Sequence, residues 1–193
     1  MTILCIICAV FLVTAIFSVT DMMIRTESSL MLSKHGNWHL KLDNISQDIA
    51  EEISERTDVT AVGASSVFNY DGGQPYRISE KKAVLYGTEE SYINRISNGI
   101  TDGIFPQNDN EVMLSPNAVI AFGAQIGDNI TLHTPVGDTT FTISGFGADD
   151  KEYYENQTYL IGVYMTQVAF ASIMEKNGVT DNEPSYYCLL YTS

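Results

Sequence analysis

Residues 2–20 read TILCIICAVFLVTAIFSVT, an apolar run that contains no charged residue. A helix needs about 20 such residues to cross a hydrocarbon layer of roughly 30 Å. The run therefore predicts a transmembrane helix in contact with membrane lipid. A cleaved signal peptide is the competing interpretation, but such a peptide carries a basic segment before a shorter apolar core, and no Lys or Arg precedes this run.

The charges after the run do not indicate which side of the membrane follows it, because the first two, Asp21 and Arg25, have opposite signs. Apolar residues continue at helical spacing beyond the run, and Gly36 then ends the pattern. We therefore expect residues 1–35 to form a transmembrane helix with a stalk. Residues 36–193 are expected to form one separate domain.

The composition indicates an acidic, folded domain. The chain has 193 residues, and its 10 basic against 24 acidic side chains give a net charge of −14, all of it after the apolar run. This field repels nucleic acid, which we exclude as a partner. Cys188 has no cysteine partner outside the run, so the domain must fold without an intrachain disulfide. Cys5 and Cys8 are interpreted as small apolar residues, because a thiolate in lipid is costly.

Strand and helix patterns are interspersed along the rest of the chain. The clearest is a pair of β-branched runs, residues 129–133 and 139–145, which flank turn residues and predict a β-hairpin. Because strands and helices do not alternate strictly, the predicted fold class is α+β with a mixed sheet. Further strands are predicted at residues 38–42, 58–68, 83–86, 159–165 and 185–192, and helices at residues 46–56, 89–97, 115–123 and 167–176.

The sequence contains no phosphate-binding loop and no nucleophile motif. Gly123 and Gly127 lack the lysine and the helix start that a phosphate loop needs. No serine lies in a G-x-S-x-G motif, and His133 falls in a predicted strand, where a histidine is more often structural than a base. We therefore predict no catalytic residue, no cofactor and no enzyme activity.

Two groups of potential metal ligands also have structural interpretations. His35 and His39 are four residues apart, but Gly36 lies between them where the chain turns into a strand, so no zinc site is predicted. An acidic run lacks the spacing of a calcium loop and is interpreted as a solvated loop. Exposed aromatic residues are potential substrate contacts without an assigned role. The acidic run contains Asp149, Asp150, Glu152 and Glu155, and the aromatic residues include Phe105, Tyr153 and Tyr154.

The order of several short motifs resembles the extracytoplasmic core domain of FtsX/MacB-type ABC transporter permeases. The apolar helix and a GNWH entry at residues 36–39 come first. The remaining motifs are YGTEESY at residues 86–92, GIFP at 103–106, EVMLS at 111–115, IGDNITL at 126–132 and FTISGF at 141–146.

The resemblance implies a mixed-sheet domain outside the cytoplasm of a bacterium, inserted after the first of four transmembrane helices in a cell-membrane permease. It implies a cytoplasmic ABC ATPase subunit and a second permease subunit as partners, with mechanical coupling across the membrane. The substrate and the residues that contact it stay unknown. The alternative, from a different class, is a single-span extracellular sensor or binding protein.

The two ends of the chain predict a fragment. A spanning helix that begins at residue 2 has no basic cytoplasmic flank, and residues 185–192 form an apolar run without a closing turn. In addition, the last six residues, CLLYTS at 188–193, resemble the translation of a sequencing adapter. We expect the intact protein to have a basic N-terminus and further membrane helices.

Overall fold

The computed structural model describes residues 2–147, 160–180 and 183–191 of the chain. The helices are α1 (Thr2–His35), α2 (Gln47–Ser54), α3 (Glu90–Arg95), α4 (Asn117–Phe122) and α5 (Gln167–Lys176). The strands are β1 (Leu40–Leu42), β2 (Val59–Phe68), β3 (Arg77–Ile78), β4 (Lys81–Thr88), β5 (Ile100–Gly103), β6 (Glu111–Leu114), β7 (Asn129–Thr134), β8 (Gly137–Gly147), β9 (Ile161–Thr166) and β10 (Ser185–Leu190).

Helix α1 is one uninterrupted helix of 34 residues. Its segment Ile6–Glu27 is long and apolar enough to cross a membrane, and none of it is buried inside the structure. Large side chains on this segment, such as Phe11 and Phe17, are 74% and 70% exposed. Exposing such a surface to water is unfavourable, so the segment requires apolar surroundings.

Six strands in the described part of the chain pair into a closed ring. Strand β4 pairs in parallel with β9, β9 antiparallel with β6, and β6 in parallel with β8. Antiparallel pairs of β8 with β7, β7 with β3 and β3 with β4 complete the ring. Strands β2, β10 and β1 extend in that order from β4, and β5 pairs with β8. The sheet is therefore mixed, as the fold-class prediction states.

The main hydrophobic core contains alternate residues of the ring strands, such as Leu85 and Val163, together with Phe170 of α5. Alternate side chains of a closed sheet point to one interior, which explains why these residues cluster. A second cluster contains the intervening residues of β4, β6 and β9, and in it the rings of Tyr86 and Tyr164 stack 4.5 Å apart. The fold is thus held by two apolar layers on opposite faces of the same three strands.

The predicted hairpin is confirmed, and its turn is tighter than expected. Strands β7 and β8 pair as far as Thr134 and Gly137, so only Pro135 and Val136 connect them. Gly137 has a φ of 143°, in the region that favours glycine. The turn residue nearest to β8 therefore belongs to the strand, and the two strands form one continuous ladder.

The helix predicted at residues 115–123 forms, but Ser115 does not cap it. Pro116 occupies the N-cap position of α4, and the helix begins at the following residue. The Ser115 hydroxyl instead accepts a hydrogen bond from the Gly162 backbone N–H at 2.8 Å and donates one to the Asn117 side chain. The Asn117 amide in turn donates to the Leu160 carbonyl at 2.6 Å. These buried hydrogen bonds connect α4 to the start of β9. The Ser115 side chain therefore makes tertiary contacts and does not cap the helix.

Glu111 organises the loop before β6. Its carboxylate accepts hydrogen bonds from the Asn108 side-chain amide at 3.0 Å, and from the backbone N–H groups of Gln107 and Asn108 at 2.8 and 3.2 Å. These bonds hold the pKa of Glu111 below its ordinary value, and the bond from the Asn108 side chain makes the largest contribution to this lowering.

We expect Glu111→Gln to lower the free energy of unfolding at neutral pH by about 1 kcal/mol, because charge-assisted bonds are lost at a site partly screened by water. Because the pKa of Glu111 is lower in the folded state than in the unfolded state, its ionised carboxylate stabilises the fold at pH values above the unfolded-state pKa. This stabilisation is lost as the pH falls through the folded-state pKa. The difference between variant and wild type should therefore shrink below about pH 4. Urea unfolding of the variant and the wild type, at neutral pH and again below about pH 4, measures this difference in the free energy of unfolding. A difference that does not depend on pH would contradict the prediction.

Candidate functional site

The membrane junction, which we define as residues 36–38 with their contacts on α3 and β10, joins α1 to the domain. Gly36 has a φ of 83°, and a Cβ atom there would lie 2.3 Å from the Ile96 carbonyl oxygen. The next backbone N–H, that of Asn37, donates a hydrogen bond to the same oxygen at 2.6 Å. Glycine is required at this position because the chain both adopts a left-handed conformation and passes directly against the end of α3.

Aromatic rings hold the other side of the membrane junction. The ring of Trp38 meets that of Tyr187 on β10 edge to face at 5.4 Å, and Tyr187 contacts Tyr92 of α3 at 5.1 Å. Such pairs contribute about 0.5–1.5 kcal/mol beyond their buried area. Burial raises the pKa of Tyr187. The chain that leaves α1 is therefore attached both to α3 and to β10, without a free linker.

A second feature is the acidic groove, a cavity of about 550 Å³ between α2, β2 and α5. The apolar residues that line it are Val62 and Ala64 from β2, Ala50 from α2, and Phe170 and Ala171 from α5. These residues come from elements more than 100 positions apart in the chain, and the sheet brings them together. The groove has the size of a typical small-ligand site.

The acidic groove is also lined by Glu51, Glu89 and Glu183, together with Tyr186. Burial raises the pKa of Tyr186, and the nearby carboxylates of Glu89 and Glu51 raise it further. Glu51 of α2, Glu89 after β4 and this tyrosine thus line the same cavity. Among the described residues that line the groove, none is basic.

Gln167 also lines the groove. Its Oε1 atom accepts a hydrogen bond from the Ser66 hydroxyl at 3.3 Å. Its Nε2 atom is buried and has no hydrogen-bond partner among the described residues. A buried donor without an acceptor is unfavourable by about 1–3 kcal/mol.

The sequence profile of the MacB-like periplasmic core domain matches residues 1–187. The chain belongs to this family. The match covers the apolar helix and nearly all of the domain, so the resemblance drawn from the order of motifs is confirmed. MacB-like periplasmic core domains are domains of ABC-type transporter permeases, which places this chain in a class of membrane transport proteins.

Solved structures of transporter domains are similar to this chain at low sequence identity, and the first of the following two has the same fold. The periplasmic region of MacB from Actinobacillus actinomycetemcomitans has a TM-score of 0.52 and 15% identity, over 80% of this chain and 68% of that one. The extracellular domain of the ABC-type transporter YknZ from Gram-positive bacteria has a TM-score of 0.48 and 15% identity, over 74% of this chain and 72% of that one. No curated protein matches the chain.

The residues considered from sequence do not form a site in the described part of the chain. Phe105, expected to be an exposed aromatic, is only 6% exposed and packs in the second cluster, so that prediction is wrong. The Nδ1 atom of His39 accepts a hydrogen bond from the Leu190 N–H at 3.2 Å. In residues 2–147, 160–180 and 183–191 no group of three metal-ligating side chains occurs. Asp149, Asp150, Glu152, Glu155, Tyr153 and Tyr154 lie outside the described residues.

Proposed function

We propose that the chain is a permease subunit of an ABC transporter. Helix α1 crosses the bacterial cell membrane, residues 1–35 form the membrane anchor and stalk, and residues 36–193 form a domain outside the cytoplasm that contacts a substrate or a partner protein. A cytoplasmic ATPase subunit and a second permease subunit are its partners. Membership of the MacB-like periplasmic core domain family supports this assignment.

The observation that carries the proposal is the direct attachment of α1 to the domain. At 1.5 Å per residue, 34 helical residues extend about 51 Å, which is longer than the hydrocarbon layer. The helix therefore continues beyond the membrane as a stalk and ends at the membrane junction. Because Asn37 and Trp38 contact α3 and β10 immediately after the helix, a displacement of α1 acts on the domain without being absorbed by a loop.

The second candidate function is a single-span sensor or binding protein on the cell surface. The acidic groove favours it, because a cavity lined by both apolar and charged residues is enough for ligand binding without transport. The two candidates differ in their partners. A permease requires an ATPase, whereas a sensor of this kind binds its ligand without one.

Affinity purification from the native membrane distinguishes the two functions. A tag inserted at the turn of residues 71–73 should recover a P-loop ATPase in stoichiometric amount, and the purified complex should hydrolyse ATP. The chain alone should show no turnover, because it contains no phosphate-binding loop. Recovery of the membrane-inserted protein without any ATPase would contradict the permease assignment and support the sensor.

A further inference from the structure

We propose that α2 is a lid, which lifts from the face of β1, β10 and β2 while the ring of strands stays folded. This motion goes beyond the proposed transport function and does not depend on it. Four features of the described residues support a lid. They are the weak packing of α2, the charges along it, its attachment at two anchored points, and the buried side chain beneath it.

Helix α2 has little apolar contact with the rest of the domain. Of its eight residues only Ala50 is buried, and the side chain of Ile49 is 46% exposed. Its N-cap residue, Ser46, makes no side-chain hydrogen bond to the helix, whereas α5 buries four residues and is capped by Thr166. One side of α2 lines the cavity of about 550 Å³ that separates it from α5. Helices shorter than about 12 residues are marginal without tertiary packing, so the local stability of α2 is low.

The charges of α2 act against its own helix. Asp48 and Glu52 lie four residues apart, and so do Glu51 and Glu55. Like charges at this spacing are neighbours on the helix surface and destabilise it. The last turn contains no basic residue, and Glu55 at the C-cap adds to the negative end of the helix dipole. The hydrogen bond from the Gln47 amide to the Glu51 carboxylate at 2.9 Å opposes this repulsion. The helix therefore depends on its contact with the sheet.

The segment that contains α2 is anchored at both ends. Before the helix, the Asp43 carboxylate accepts a hydrogen bond from the Ser185 hydroxyl at 2.6 Å. After it, the Asp58 carbonyl accepts one from the Tyr191 N–H at 2.9 Å. The two donors lie at opposite ends of β10, so the segment between Asp43 and Asp58 can lift while β1 and β2 stay paired with β10.

A fully buried thiol lies beneath the proposed lid. Cys188 of β10 is paired with Val62 of β2, and directly opposed residues share one face of a sheet. Val62 lines the cavity together with Ala50 of α2, whereas α3 covers the other face, where a Cβ atom on Gly63 would meet Tyr92. Cys188 is fully buried although it lies on the side of β2 away from β4, the strand on which α5 packs. Helix α2 is therefore the element that covers this thiol.

Reaction of Cys188 with a small uncharged maleimide measures the opening on the full chain in nanodiscs, with the modified residue identified by peptide mass mapping. Amide exchange of Leu85, a ring residue of the main core, measures global unfolding in the same sample. We expect the equilibrium constant for exposing Cys188 to exceed that for exposing Leu85 by about tenfold or more.

Two substitutions separate the lid from the ring. Ala50→Gly weakens α2 and removes its one buried side chain, so it should accelerate the reaction of Cys188 about fivefold. Ile143→Val in the main core should accelerate the exchange of Leu85 about fivefold and leave the reaction of Cys188 unchanged, because the lid opens from a folded ring. Equal acceleration of the Cys188 reaction by both would overturn the proposal, because global unfolding would then expose the thiol. No acceleration in Ala50→Gly would also overturn it.

A stabilising variant tests the lid in the opposite direction. Glu55→Lys replaces a repulsive pair with Glu51 by an attractive one and places a cation at the end of α2, so it should slow the reaction of Cys188 about threefold. Glu175→Lys, at an exposed position of α5, is the matched control with the same change of charge and should leave that rate within about 1.5-fold. Equal slowing by both variants would overturn the assignment of the opening to α2.

Discussion

Replacing Phe170 with alanine is expected to lower the free energy of unfolding of the domain by about 3–5 kcal/mol. The Phe170 side chain is only 1% exposed and lies in the main core with residues of the ring strands. Truncation removes its transfer free energy and leaves a cavity that the closed sheet cannot easily fill, because the ring strands are held in register by neighbours on both sides.

Gly87 makes the packing around Phe170 testable in a second way. A Cβ atom on Gly87 would lie 2.5 Å from Cγ and 2.6 Å from Cβ of Phe170, closer than any real contact. Gly87→Ala alone should therefore lower the free energy of unfolding by about 1–3 kcal/mol through overpacking. In the double variant the collision with the phenyl ring is removed, although the alanine at position 170 keeps its own Cβ atom near the new methyl group, so the combined loss should be smaller than the sum of the single losses.

Chemical unfolding of the full chain in detergent micelles measures this cycle, with the fluorescence of Trp38, the one tryptophan in the chain, as the probe. Val168→Ala is the matched control on α5. Its side chain is 65% exposed, so its truncation should change the free energy of unfolding by no more than about 0.5 kcal/mol. If the losses in the free energy of unfolding for Gly87→Ala and Phe170→Ala are strictly additive, the added methyl group and the phenyl ring do not compete for the same space.

Strong local patterns were predictable from the sequence. The hairpin of β7 and β8 is confirmed because both strands are β-branched and adjacent, so their pairing needs only a short turn. Helix α5 is confirmed with its predicted bounds, Gln167–Lys176. The N-terminal cap of this helix is the Thr166 hydroxyl, which accepts a hydrogen bond from the Ala169 N–H at 3.1 Å. This cap was not predicted.

Features that depend on distant pairing were not predictable. Strands β3, β5 and β6 have two to four residues, too few for an alternating pattern to emerge, and they form only because longer strands lie beside them. The sequence predicts a strand at residues 185–192, but it does not indicate that β10 lies between β1 and β2 or that Cys188 is fully buried. Local sequence carries no information about which strand will be the neighbour.

The two candidate sites, the acidic groove and the membrane junction, also depend on the pairing of distant strands and were not predictable for the same reason. The acidic groove combines Glu51, Glu89 and Glu183, which are ordinary surface acids until β2, β4 and β10 align. At the membrane junction, Trp38 is recognisable as an aromatic residue after a helix, but its partner Tyr187 is about 150 positions away. A single sequence identifies the residue types, and only the sheet topology makes them neighbours.

Gly36→Ala is expected to destabilise the membrane junction by about 2–5 kcal/mol. A left-handed φ costs a residue with a Cβ atom roughly 1–2 kcal/mol. The displacement needed to relieve the 2.3 Å approach to the Ile96 carbonyl oxygen adds about 1–3 kcal/mol. That oxygen belongs to the backbone, so it cannot rotate away as a flexible side chain would. The hydrogen bond from the Asn37 N–H should be lost when the chain moves outward.

Gly127→Ala is the matched control for the conformational part of this loss. Gly127 has a φ of 88°, close to that of Gly36, but no atom lies within 4 Å of the position of its added Cβ. The alanine there meets the same backbone strain without a collision. The excess loss in Gly36→Ala over Gly127→Ala therefore isolates the close approach between the chain leaving α1 and the end of α3.

Amide hydrogen exchange of the full chain in nanodiscs reads out the membrane junction directly. In Gly36→Ala the Asn37 amide should exchange about tenfold faster or more, and the Trp38 emission should shift to longer wavelength as its contact with Tyr187 loosens. Main-core amides such as that of Leu85 should keep their protection, because the substitution releases α1 without opening the ring. Equal protection of Asn37 in the Gly36 and Gly127 variants would contradict a close contact at this point. The domain would then be joined to its membrane helix by a compliant linker, and mechanical coupling through residues 36–38 would lose its structural basis.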